Sequence, residues 1–472
     1  MEKNFDVVVG GGGIVGASIF RELSRYELNL LLVEKEEDIA SFGSTIANTG
    51  IIHGGYDPIT NSLKAILNRE GKKLWIELTQ KLNIDSEFNG VLVLAKESDE
   101  EKILYELYER GVKNNVEVKI LNKEEIKKIE PNLKETYSLG LFSSDAGTID
   151  PFIATINLVR SGFENQGKVL FDTEILEVIR EKERVILITN SGEIKTKIFV
   201  NACGFFGKKF LKDENLIFPR RGEYLITDKN LKGLISRPIF GVPSEKGKGI
   251  SITPTPHGNI LLGPTSHIVE NYDLNSYIKE RNEILEKVNS FIDFDFVPYI
   301  IRDFAGVRAS SKTKDFIIGF EDTSNVLHVQ GIDSPGLTAA PAIGKYVSSL
   351  IKKRITLKEK KNFKETLEPK INLKKLSKEE IDMLIQKEPS FGEIVCRCEF
   401  VSKGEILEEL KTFPYPKNID GLKRRLRVTS GRCQGSFCTI RILKILNEEL
   451  KVPFEEIKKK GKEGRVIYGE IE

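Results

Sequence analysis

Blocks of apolar positions at the start of the chain predict a strand, a helix and a second strand. An apolar run over residues 5–9 meets four consecutive glycines at 10–13, a helix-like segment continues to Tyr26, and a second apolar run spans 28–33. Short apolar runs bounded by turn residues are typical of buried parallel strands. The order therefore predicts a βαβ unit that begins an α/β fold.

Later segments predict an excursion from this sheet and a return to it. An amphipathic helix over Ser62–Lys81 and a strand over 90–94 precede charged surface helices, and Asp150 with Pro151 predicts the start of another helix. Short strands between 169 and 197 lead to an apolar strand over 198–204. Between 218 and 298, alternating strands and turn residues predict an antiparallel sheet, and a second strand, glycine turn and helix follow over 326–344.

Composition and charge exclude several classes of protein. The chain has 472 residues, of which 40% are hydrophobic and 30% charged, and its 72 basic residues nearly cancel its 70 acidic ones. The net charge therefore gives no indication that the chain binds nucleic acid or an anionic membrane. No apolar stretch approaches the length that spans a bilayer, and the first strand begins almost at the N-terminus. We expect a cytoplasmic protein of two or three domains.

The first glycine turn carries the clearest chemistry. Gly11, Gly13 and Gly16 form a G-x-G-x-x-G pattern after a strand, and Glu34 ends the next strand. Such a turn brings a pyrophosphate close to the backbone and to the N-terminus of the following helix, while the acid accepts hydrogen bonds from a ribose. The pattern predicts dinucleotide binding and leaves FAD and NAD both open.

Two further segments hold residues of interest. Residues 41–56 are rich in small and hydroxylic side chains and contain His53; such a segment can lie against a flat ring, but an ordinary glycine-rich loop with a structurally bonded histidine is an equal alternative. Cys203, at the end of the returning strand, is interpreted as a small buried hydrophobic residue, not as a nucleophile.

With these pieces placed, residues 5–350 resemble the FAD-dependent oxidoreductases of the D-amino-acid-oxidase-like superfamily. Within it they are most similar to glycerol-3-phosphate dehydrogenases of the anaerobic type and to L-2-hydroxyglutarate dehydrogenases. Gly10 departs from the branched residue usual before the glycines. The resemblance is carried by Gly11, Gly13, Gly16, Glu34, the stretch 48–55, the segment Pro219–Tyr224, the stretch 304–308 and the stretch 334–338.

The resemblance implies a bound FAD whose N5 accepts hydride from a substrate carbon that bears a hydroxyl group. His53 is then the candidate imidazole for proton transfer, and Arg308 is the candidate clamp for an anionic group, with Arg221 and Tyr224 assisting. For each of these four, a structural hydrogen bond or a surface charge is the alternative. The residues expected to contact FAD are Gly11, Gly13, Gly16, Glu34, Lys35, Thr45, Asn48, Thr49, Gly50, Gly204, Gly306, Gly331, Gly336, Leu337 and Thr338.

Four of the five cysteines lie close together in the C-terminal part of the chain. Cys396 and Cys398 form C-x-C, and Cys433 and Cys438 form C-x4-C, which could surround zinc or a [2Fe–2S] cluster. A basic run over 423–432 could stabilise a negatively charged cluster or form a solvated surface. The pattern resembles the bacterioferritin-associated-ferredoxin-like [2Fe–2S] domain, and next to a flavin it favours an electron relay over a structural zinc site.

The predicted fold class is an α/β Rossmann-type FAD-binding domain, an antiparallel α+β substrate domain and a small helical [2Fe–2S] domain. The predicted boundaries are 1–90, 145–215 and 300–352 for the FAD-binding domain, 91–144 and 216–299 for the substrate domain, 353–390 for a linker, 391–455 for the [2Fe–2S] domain and 456–472 for a tail.

The first functional hypothesis is a dehydrogenase that oxidises sn-glycerol 3-phosphate to dihydroxyacetone phosphate. Oxidation of L-2-hydroxyglutarate or a related 2-hydroxy acid is the close alternative, and a non-catalytic flavin and iron–sulfur electron-transfer subunit is an alternative of another class. The expected partners are a small anionic hydroxy substrate and an electron-acceptor protein or second flavoprotein subunit. Through a partner of this kind, the protein could be attached to the inner face of a membrane.

Overall fold

The computed structural model describes residues 4–243, 249–461 and 463–469. Its helices are α1 (Ile14–Leu23), α2 (Leu63–Lys81), α3 (Ser98–Lys113), α4 (Lys123–Ile129), α5 (Pro151–Glu164), α6 (Ile278–Asn289), α7 (Gly336–Ile351), α8 (Lys378–Lys387), α9 (Lys403–Leu410), α10 (Ile419–Leu426) and α11 (Thr439–Leu450). Its strands are β1 (Asn4–Gly10), β2 (Leu30–Val33), β3 (Ile51–Ile52), β4 (Ser86–Glu87), β5 (Val91–Ala95), β6 (Lys119–Asn122), β7 (Leu139–Ser143), β8 (Gly147–Ile149), β9 (Lys168–Leu170), β10 (Ile175–Arg180), β11 (Val185–Thr189), β12 (Gly192–Asn201), β13 (Ile217–Thr227), β14 (Ile239–Gly241), β15 (Ser251–Pro254), β16 (Ile260–Gly263), β17 (His267–Ile268), β18 (Ile300–Ser311), β19 (Ile317–Phe320), β20 (Val326–Gln330), β21 (Ile394–Cys396), β22 (Val401–Ser402), β23 (Lys458–Lys460) and β24 (Gly464–Arg465).

The first sheet is built on the parallel strands that the apolar runs predict. Its parallel neighbours run in the order β9-β2-β1-β12-β20, and antiparallel strands extend it beyond β12 and β20, namely β11 with β10 and β19. Val7, Val8 and Val9 in β1 are fully buried, because helices cover one face and the strands β10 and β11 curl over the other. Helix α1 packs against α5 and α7. The return of the chain through β12 and β20 aligns the carboxyl ends of β1, β2 and β20 at one edge.

Two local predictions in this part of the chain are confirmed. The helix predicted over Ser62–Lys81 is α2, and the structure shows in addition that Ser62 caps it, its side chain accepting a hydrogen bond from the backbone N–H of Ala65. Asp150 caps α5 by accepting from the N–H groups of Phe152 and Ile153 at 2.8 and 3.0 Å, with Pro151 in the first turn.

The second sheet contains β17-β13-β16-β15-β14-β5-β7-β6, with β18 paired to β13. Its pairs are antiparallel, as expected, apart from β5 and β14, which are parallel. The predicted boundary at residue 300 assigned β18 to the FAD-binding domain, and this is corrected here. Strand β18 pairs with β13 from end to end, from Ile217 opposite Ser311 to Thr227 opposite Ile300, so it belongs to the second sheet.

The predicted linker, residues 353–390, contains α8 but also packs along the first domain. The Glu365 carboxylate pairs with Arg25 at 2.5 Å and with Arg21 at 3.3 Å, and Leu367 is buried in the core around α1. This segment is therefore fixed to the surface that it crosses.

The C-terminal domain has its own core around α9, α10 and α11. The prediction that 456–472 is a charged tail is wrong for its described part: Ile457 is buried in this core, and β23 pairs with β24. The high charge of this segment gives no sign of the short hairpin, which Ile457 before it and the partly buried Val466 and Ile467 after it anchor to the core.

Buried ion pairs hold the C-terminal domain against the first sheet. The Asp38 carboxylate accepts from Arg424 at 2.6 Å and from Arg425 at 2.6 and 2.7 Å, and all three side chains are buried. Part of the basic run 423–432 thus binds a carboxylate of the neighbouring domain. Burial would raise the pKa of Asp38, but Arg425 and Arg424 outweigh this effect and hold its pKa below the ordinary value.

We expect Asp38→Asn to release the C-terminal domain, because the substitution removes the carboxylate that Arg424 and Arg425 share across the domain contact and leaves Arg425 only Glu409 of its own domain. Breaking a buried pair costs about 3 kcal/mol, which corresponds to about a 100-fold rise in the population of the undocked state. The rate of limited proteolysis under native conditions measures this population. Exposed Asp322→Asn is the matched control. Equal cleavage rates in the two variants would contradict the prediction.

Candidate active site and cysteine site

A cavity of about 620 Å³ lies where the first sheet meets the second. The carboxyl ends of β1 and β2, the segment after β2 and the start of α7 form one wall, and β13 and β18 form another. In open parallel sheets, ligands bind at this edge of the strands. The cavity therefore occupies the position that the glycine turn predicted.

Close packing fixes the glycine turn between β1 and α1. Gly11 has a positive φ of 99°, and a Cβ atom there would lie 2.5 Å from the carbonyl oxygen of Ala202. A Cβ atom at Gly16 would lie 1.8 Å from the Gly11 carbonyl oxygen. Gly13 caps α1 without a side chain, so the positive end of the helix is presented to the cavity.

Glu34 lies at the end of β2 beside this turn. Its carboxylate accepts hydrogen bonds from the backbone N–H groups of Gly12 at 2.6 Å and Glu36 at 2.9 Å, and burial raises its pKa. The ammonium of Lys35 lies over the rings of Phe42 and Phe206, 4.5 and 4.0 Å from their centroids. Each carboxylate oxygen keeps acceptor capacity for a ligand in the cavity.

The hydroxyl-rich segment after β2 forms the floor of the cavity. Thr45 accepts a hydrogen bond from the backbone N–H of Ile14, which ties this segment to the start of α1. Asn48 accepts from Gly50 and donates to the Thr45 carbonyl oxygen, so its amide fixes the turn. Thr49 also lies in the cavity wall.

His53 is held from the start of α7. Its backbone N–H donates to Thr338 at 3.0 Å, and its Nε2 lies 3.3 Å from the Ser334 hydroxyl. The imidazole lies in the cavity wall, with the Phe240 ring at 6.2 Å. The structure thus places this side chain where it can exchange a proton with a bound molecule.

Strand alternation decides which side chains of β13 enter the cavity. Arg220 and Tyr224, four residues apart, lie in its wall, and Arg308 stands opposite Arg220 on β18. The Tyr224 hydroxyl donates to the Ala47 carbonyl oxygen at 3.1 Å, and its ring stacks on Phe304.

The predicted role of Arg221 at this site is corrected here. Its odd spacing from Tyr224 turns its side chain to the other face of β13, where it pairs with Glu223, Asp273 and Glu280 at 2.5, 2.6 and 3.0 Å. These contacts give Arg221 a structural role outside the cavity.

Arg220 and Arg308 in the cavity wall have a hydroxyl and a carbonyl group as their polar neighbours. Arg308 donates to the Thr265 carbonyl oxygen at 2.9 Å, and Arg220 approaches the Ser266 hydroxyl at 3.5 Å. In residues 4–243, 249–461 and 463–469, no salt bridge reaches either guanidinium, and the Nε atoms of both are buried without a hydrogen-bond partner. Like charges opposite each other across two strands repel. An anion bound between them would relieve this repulsion.

Most of the expected cofactor contacts meet in the cavity. Those in its wall are Gly11, Gly13, Glu34, Lys35, Thr45, Asn48, Thr49, Gly204, Gly331, Gly336 and Leu337. Gly16, Gly50, Gly306 and Thr338 lie behind the wall, where they allow close packing or hold a neighbour by a hydrogen bond. Sequence reasoning missed Arg220, Ser266 and Ser334. The two-residue period of β13 is the signal that pairs Arg220, not Arg221, with Tyr224.

The four C-terminal cysteines form two pairs. Cys398 Sγ lies 3.7 Å from Cys433 Sγ, and Cys396 is hydrogen-bonded to Cys438. This hydrogen bond, together with the backbone N–H groups of Glu399 and Thr429, lowers the pKa of Cys396 to about 6 against the opposing effect of burial.

The arrangement of the four thiols in two pairs helps to distinguish a zinc site from a [2Fe–2S] cluster. Among the described residues, no group of three or more His, Cys, Asp or Glu side chains surrounds a single metal-sized position. Zinc takes four ligands around one ion, whereas each iron of a [2Fe–2S] cluster takes two thiolates. Two thiol pairs therefore fit the cluster better than zinc.

The fifth cysteine lies elsewhere. Cys203 follows β12 in the cavity wall, where it is half-buried, and desolvation raises its pKa to about 12. The raised pKa agrees with the interpretation that Cys203 is not a nucleophile, although the residue is not fully buried as predicted. Over the described ranges, none of the helices is both long and apolar enough to cross a bilayer.

Comparison with known proteins identifies two families in the chain. Residues 6–350 match the family described as FAD dependent oxidoreductase, and residues 394–448 match the BFD-like [2Fe-2S] binding domain. A glycerol 3-phosphate dehydrogenase of Caloramator mitchellensis is 37% identical over 98% of both chains. The mitochondrial L-2-hydroxyglutarate dehydrogenase of Bos taurus is 28% identical over 75% of this chain and 90% of its own.

A solved structure gives the same fold. The dithionite-reduced L-alpha-glycerophosphate oxidase of Mycoplasma pneumoniae with FAD bound aligns with a TM-score of 0.73 and 29% identity, over 79% of this chain and all of its own. The residues of the cavity fit FAD, because a helix N-terminus whose cap residue has no side chain, a tight glycine turn and a carboxylate at the next strand end lie together.

We expect Glu34→Ala to weaken FAD retention about tenfold or more, because a charge-assisted hydrogen bond to the ribose contributes about 1.5–3 kcal/mol. The measurement is flavin absorbance per protein after purification and dialysis. Glu36→Ala removes a neighbouring carboxylate outside the cavity and serves as control. Flavin content equal to that of the unmodified protein would count against the assigned role of Glu34.

Proposed function

This chain belongs to the FAD dependent oxidoreductase family, and we propose that it oxidises sn-glycerol 3-phosphate to dihydroxyacetone phosphate. Its electrons would leave through a [2Fe–2S] centre in the C-terminal domain. The observation that carries the choice of substrate is the pair of arginines in the cavity wall, Arg220 and Arg308, which no salt bridge reaches in the part of the chain that the structure describes.

The charge of the arginine pair matches a phosphate group. Arg220 and Arg308 stand opposite each other on β13 and β18, and guanidinium groups bind phosphate oxygens in a bidentate manner. A phosphate dianion places two negative charges on one group between these two cations. The two carboxylates of L-2-hydroxyglutarate lie at opposite ends of the molecule, so only one of them could occupy this position.

His53 is the proposed proton acceptor. The contact of Ser334 with Nε2 and the hydrogen bond that the His53 backbone N–H donates to Thr338 hold the imidazole in the same cavity as the two arginines. Removing the hydroxyl proton of the substrate prepares its carbon for loss of hydride. Tyr224 is a positioning residue, because its hydroxyl already donates to Ala47 in the cavity floor.

FAD, when bound, supplies a two-electron acceptor for the substrate C–H bond. The chain would hold its pyrophosphate at the glycine turn and α1, and its ribose at Glu34. The segment from Thr45 to Thr49 and the start of α7 would line the ring.

The C-terminal domain supports a dehydrogenase over an oxidase. The alignment with the glycerophosphate oxidase includes the whole of that protein but only 79% of this chain. The four paired cysteines lie in a further domain of this chain, after the residues that match the oxidoreductase family. A [2Fe–2S] cluster held by these cysteines supplies one-electron transfer, which suits delivery to an acceptor protein or a second flavoprotein subunit.

No observation favours the alternatives. The L-2-hydroxyglutarate dehydrogenase relative is less similar than the glycerol 3-phosphate dehydrogenase and covers less of the chain. A non-catalytic electron-transfer subunit would not need a histidine and two arginines without carboxylate partners in the cavity.

We expect Arg220→Met to raise the KM for glycerol 3-phosphate about 10- to 100-fold, because a hydrogen bond to a charged group contributes about 1.5–3 kcal/mol. Anaerobic steady-state kinetics with a dye acceptor measures this change. Oxidation of glycerol, which lacks the phosphate, is expected to stay at its wild-type rate.

Exposed Arg302→Met on the same strand as Arg308 is the control. An unchanged KM in Arg220→Met, or an equal loss with glycerol, would exclude a phosphate-binding role. Reduction of the wild-type protein by L-2-hydroxyglutarate but not by glycerol 3-phosphate would overturn the proposed substrate.

A further inference from the structure

A buried carboxylate beside the cysteine site is contacted by cations from three parts of the chain. The side chain of Glu399 is fully buried, and its Oε2 accepts from Lys229, from Lys374 at 3.4 Å and from Arg427 at 3.3 Å. Lys229 follows β13 of the second sheet, Lys374 lies in the segment before α8, and Arg427 follows α10. Charges that are buried together fix one another's positions, because separating them would leave a charge unpaired in the interior. We call Lys229, Lys374, Glu399 and Arg427 the Glu399 junction.

The Glu399 junction is part of the loops that carry the cysteines. Glu399 directly follows Cys398, and its backbone N–H donates to the Cys396 sulfur. The backbone N–H of Thr429, which follows Arg427 closely in the chain, donates to the same sulfur. A change in the position of the Glu399 junction would therefore move Cys396 and Cys398 with it.

Strand β13 connects the Glu399 junction to the wall of the cavity. Tyr224 lies in that wall, and β13 ends at Thr227, about 10 Å further along the strand. Asp228 and Lys229 follow directly. Asp228 pairs with Arg432 at 2.8 Å, immediately before the second pair of cysteines in the sequence. Two adjacent residues after β13 thus hold both cysteine loops, one through a carboxylate and the other through an ammonium group.

A turn between β15 and β16 connects the Glu399 junction to a second side of the cavity. Asn259 Oδ1 accepts from Arg427 at 2.7 Å, and His257 Nε2 lies 2.7 Å from the Asp150 carboxylate. Asp150 directly follows β8, which pairs with β3, and Ile51 of β3 lies in the cavity wall. The cysteine loops are therefore fixed relative to the cavity from two directions.

We propose that Lys229, Glu399 and Arg427 are positioning residues for electron transfer from FAD to the iron–sulfur centre, because they hold the cysteine loops at one distance from the cavity. The proposal rests on the proposed function for the presence of both cofactors. Each substrate molecule gives two electrons to the flavin. These pass one at a time to the iron–sulfur centre and on to the acceptor protein, two protons pass to solvent, and no covalent bond forms in the transfer.

Another contact separates this role from simple attachment of the C-terminal domain. Arg424 and Arg425 fix that domain to Asp38 beside the first sheet. Loss of the Lys229 ammonium group leaves this contact in place, so we expect the domain to stay docked while the loop that carries Glu399 moves. Such a movement changes the distance between the cavity and the cysteine site, and the rate of electron transfer falls steeply as this distance grows.

The test measures electron transfer within the holoenzyme. A light flash in the presence of EDTA and a deazaflavin dye delivers one electron to the anaerobic protein. Flavin absorbance then follows the transfer of this electron between flavin and cluster, at a rate independent of protein concentration. Lys229→Met should lower this rate about tenfold. Lys229→Arg, which keeps the cation, should recover about half of the wild-type rate or more. Because the flash replaces the substrate, the result does not depend on which compound the enzyme oxidises.

The control Lys279→Met removes an exposed lysine from α6, which packs on the same sheet, and should leave the electron-transfer rate unchanged. In Lys229→Met, the backbone amides of residues 396–400 should exchange with solvent deuterium faster than in wild type, whereas those of α10 should not. Flavin content, the EPR spectrum of the reduced cluster and both reduction potentials should equal those of the wild-type protein.

An unchanged electron-transfer rate in Lys229→Met, an equal loss in Lys279→Met, or a Lys229→Arg rate as low as that of Lys229→Met would overturn the proposal. A shifted cluster potential that accounts for the lower rate would also overturn it, because Lys229 would then tune the potential. Faster deuterium exchange throughout the C-terminal domain would overturn it as well, because Lys229 would then serve to attach the whole domain.

Discussion

The close approach of α1 to β1 is the contact on which the active cavity depends. Gly16 lies directly against the Gly11 carbonyl oxygen, and no side chain could stand between them. This contact brings the positive end of α1 to the edge where β1 and β2 end and places Glu34 beside the turn. A larger residue at position 16 would push the helix away and remove the diphosphate cradle together with the helix dipole.

Electrostatics divides the arginines of β13 and β18 into two kinds. Arg221 is neutralised by three carboxylates and stabilises the second sheet, whereas Arg220 and Arg308 lie side by side on neighbouring strands in the cavity wall, and no salt bridge among the described residues reaches either of them. Leaving two cations opposite each other costs stability in the free protein. Such a cost is typical of a site that binds an anionic ligand between two cations. At the contact between the domains, by contrast, Asp38 supplies the anion for Arg424 and Arg425 and so fixes the C-terminal domain.

Sequence alone predicted the parts of the fold that local signals specify. The apolar runs, the glycine turn and the Asp150 cap each act over a few residues, so β1, α1, β2 and α5 were predicted with nearly correct bounds. The position of β18, the choice of Arg221 over Arg220 and the hairpin after Ile457 depend on strand register and on tertiary contacts, which local patterns do not contain. Of these, only the choice of arginine could have been corrected from the sequence, by counting the two-residue period of β13 from Tyr224.

The cavity and the cysteine pairs are joined in one chain, and this implies that electrons taken at the first reach the second. The most direct test is an anaerobic titration of the oxidised protein with glycerol 3-phosphate, in which flavin absorbance and the EPR signal of the cluster are followed together. We expect the flavin absorbance to bleach and the signal of a reduced [2Fe–2S] cluster to appear in the same titration. Failure of glycerol 3-phosphate to bleach the flavin, or a bleached flavin beside a cluster that stays EPR-silent, would contradict this conclusion.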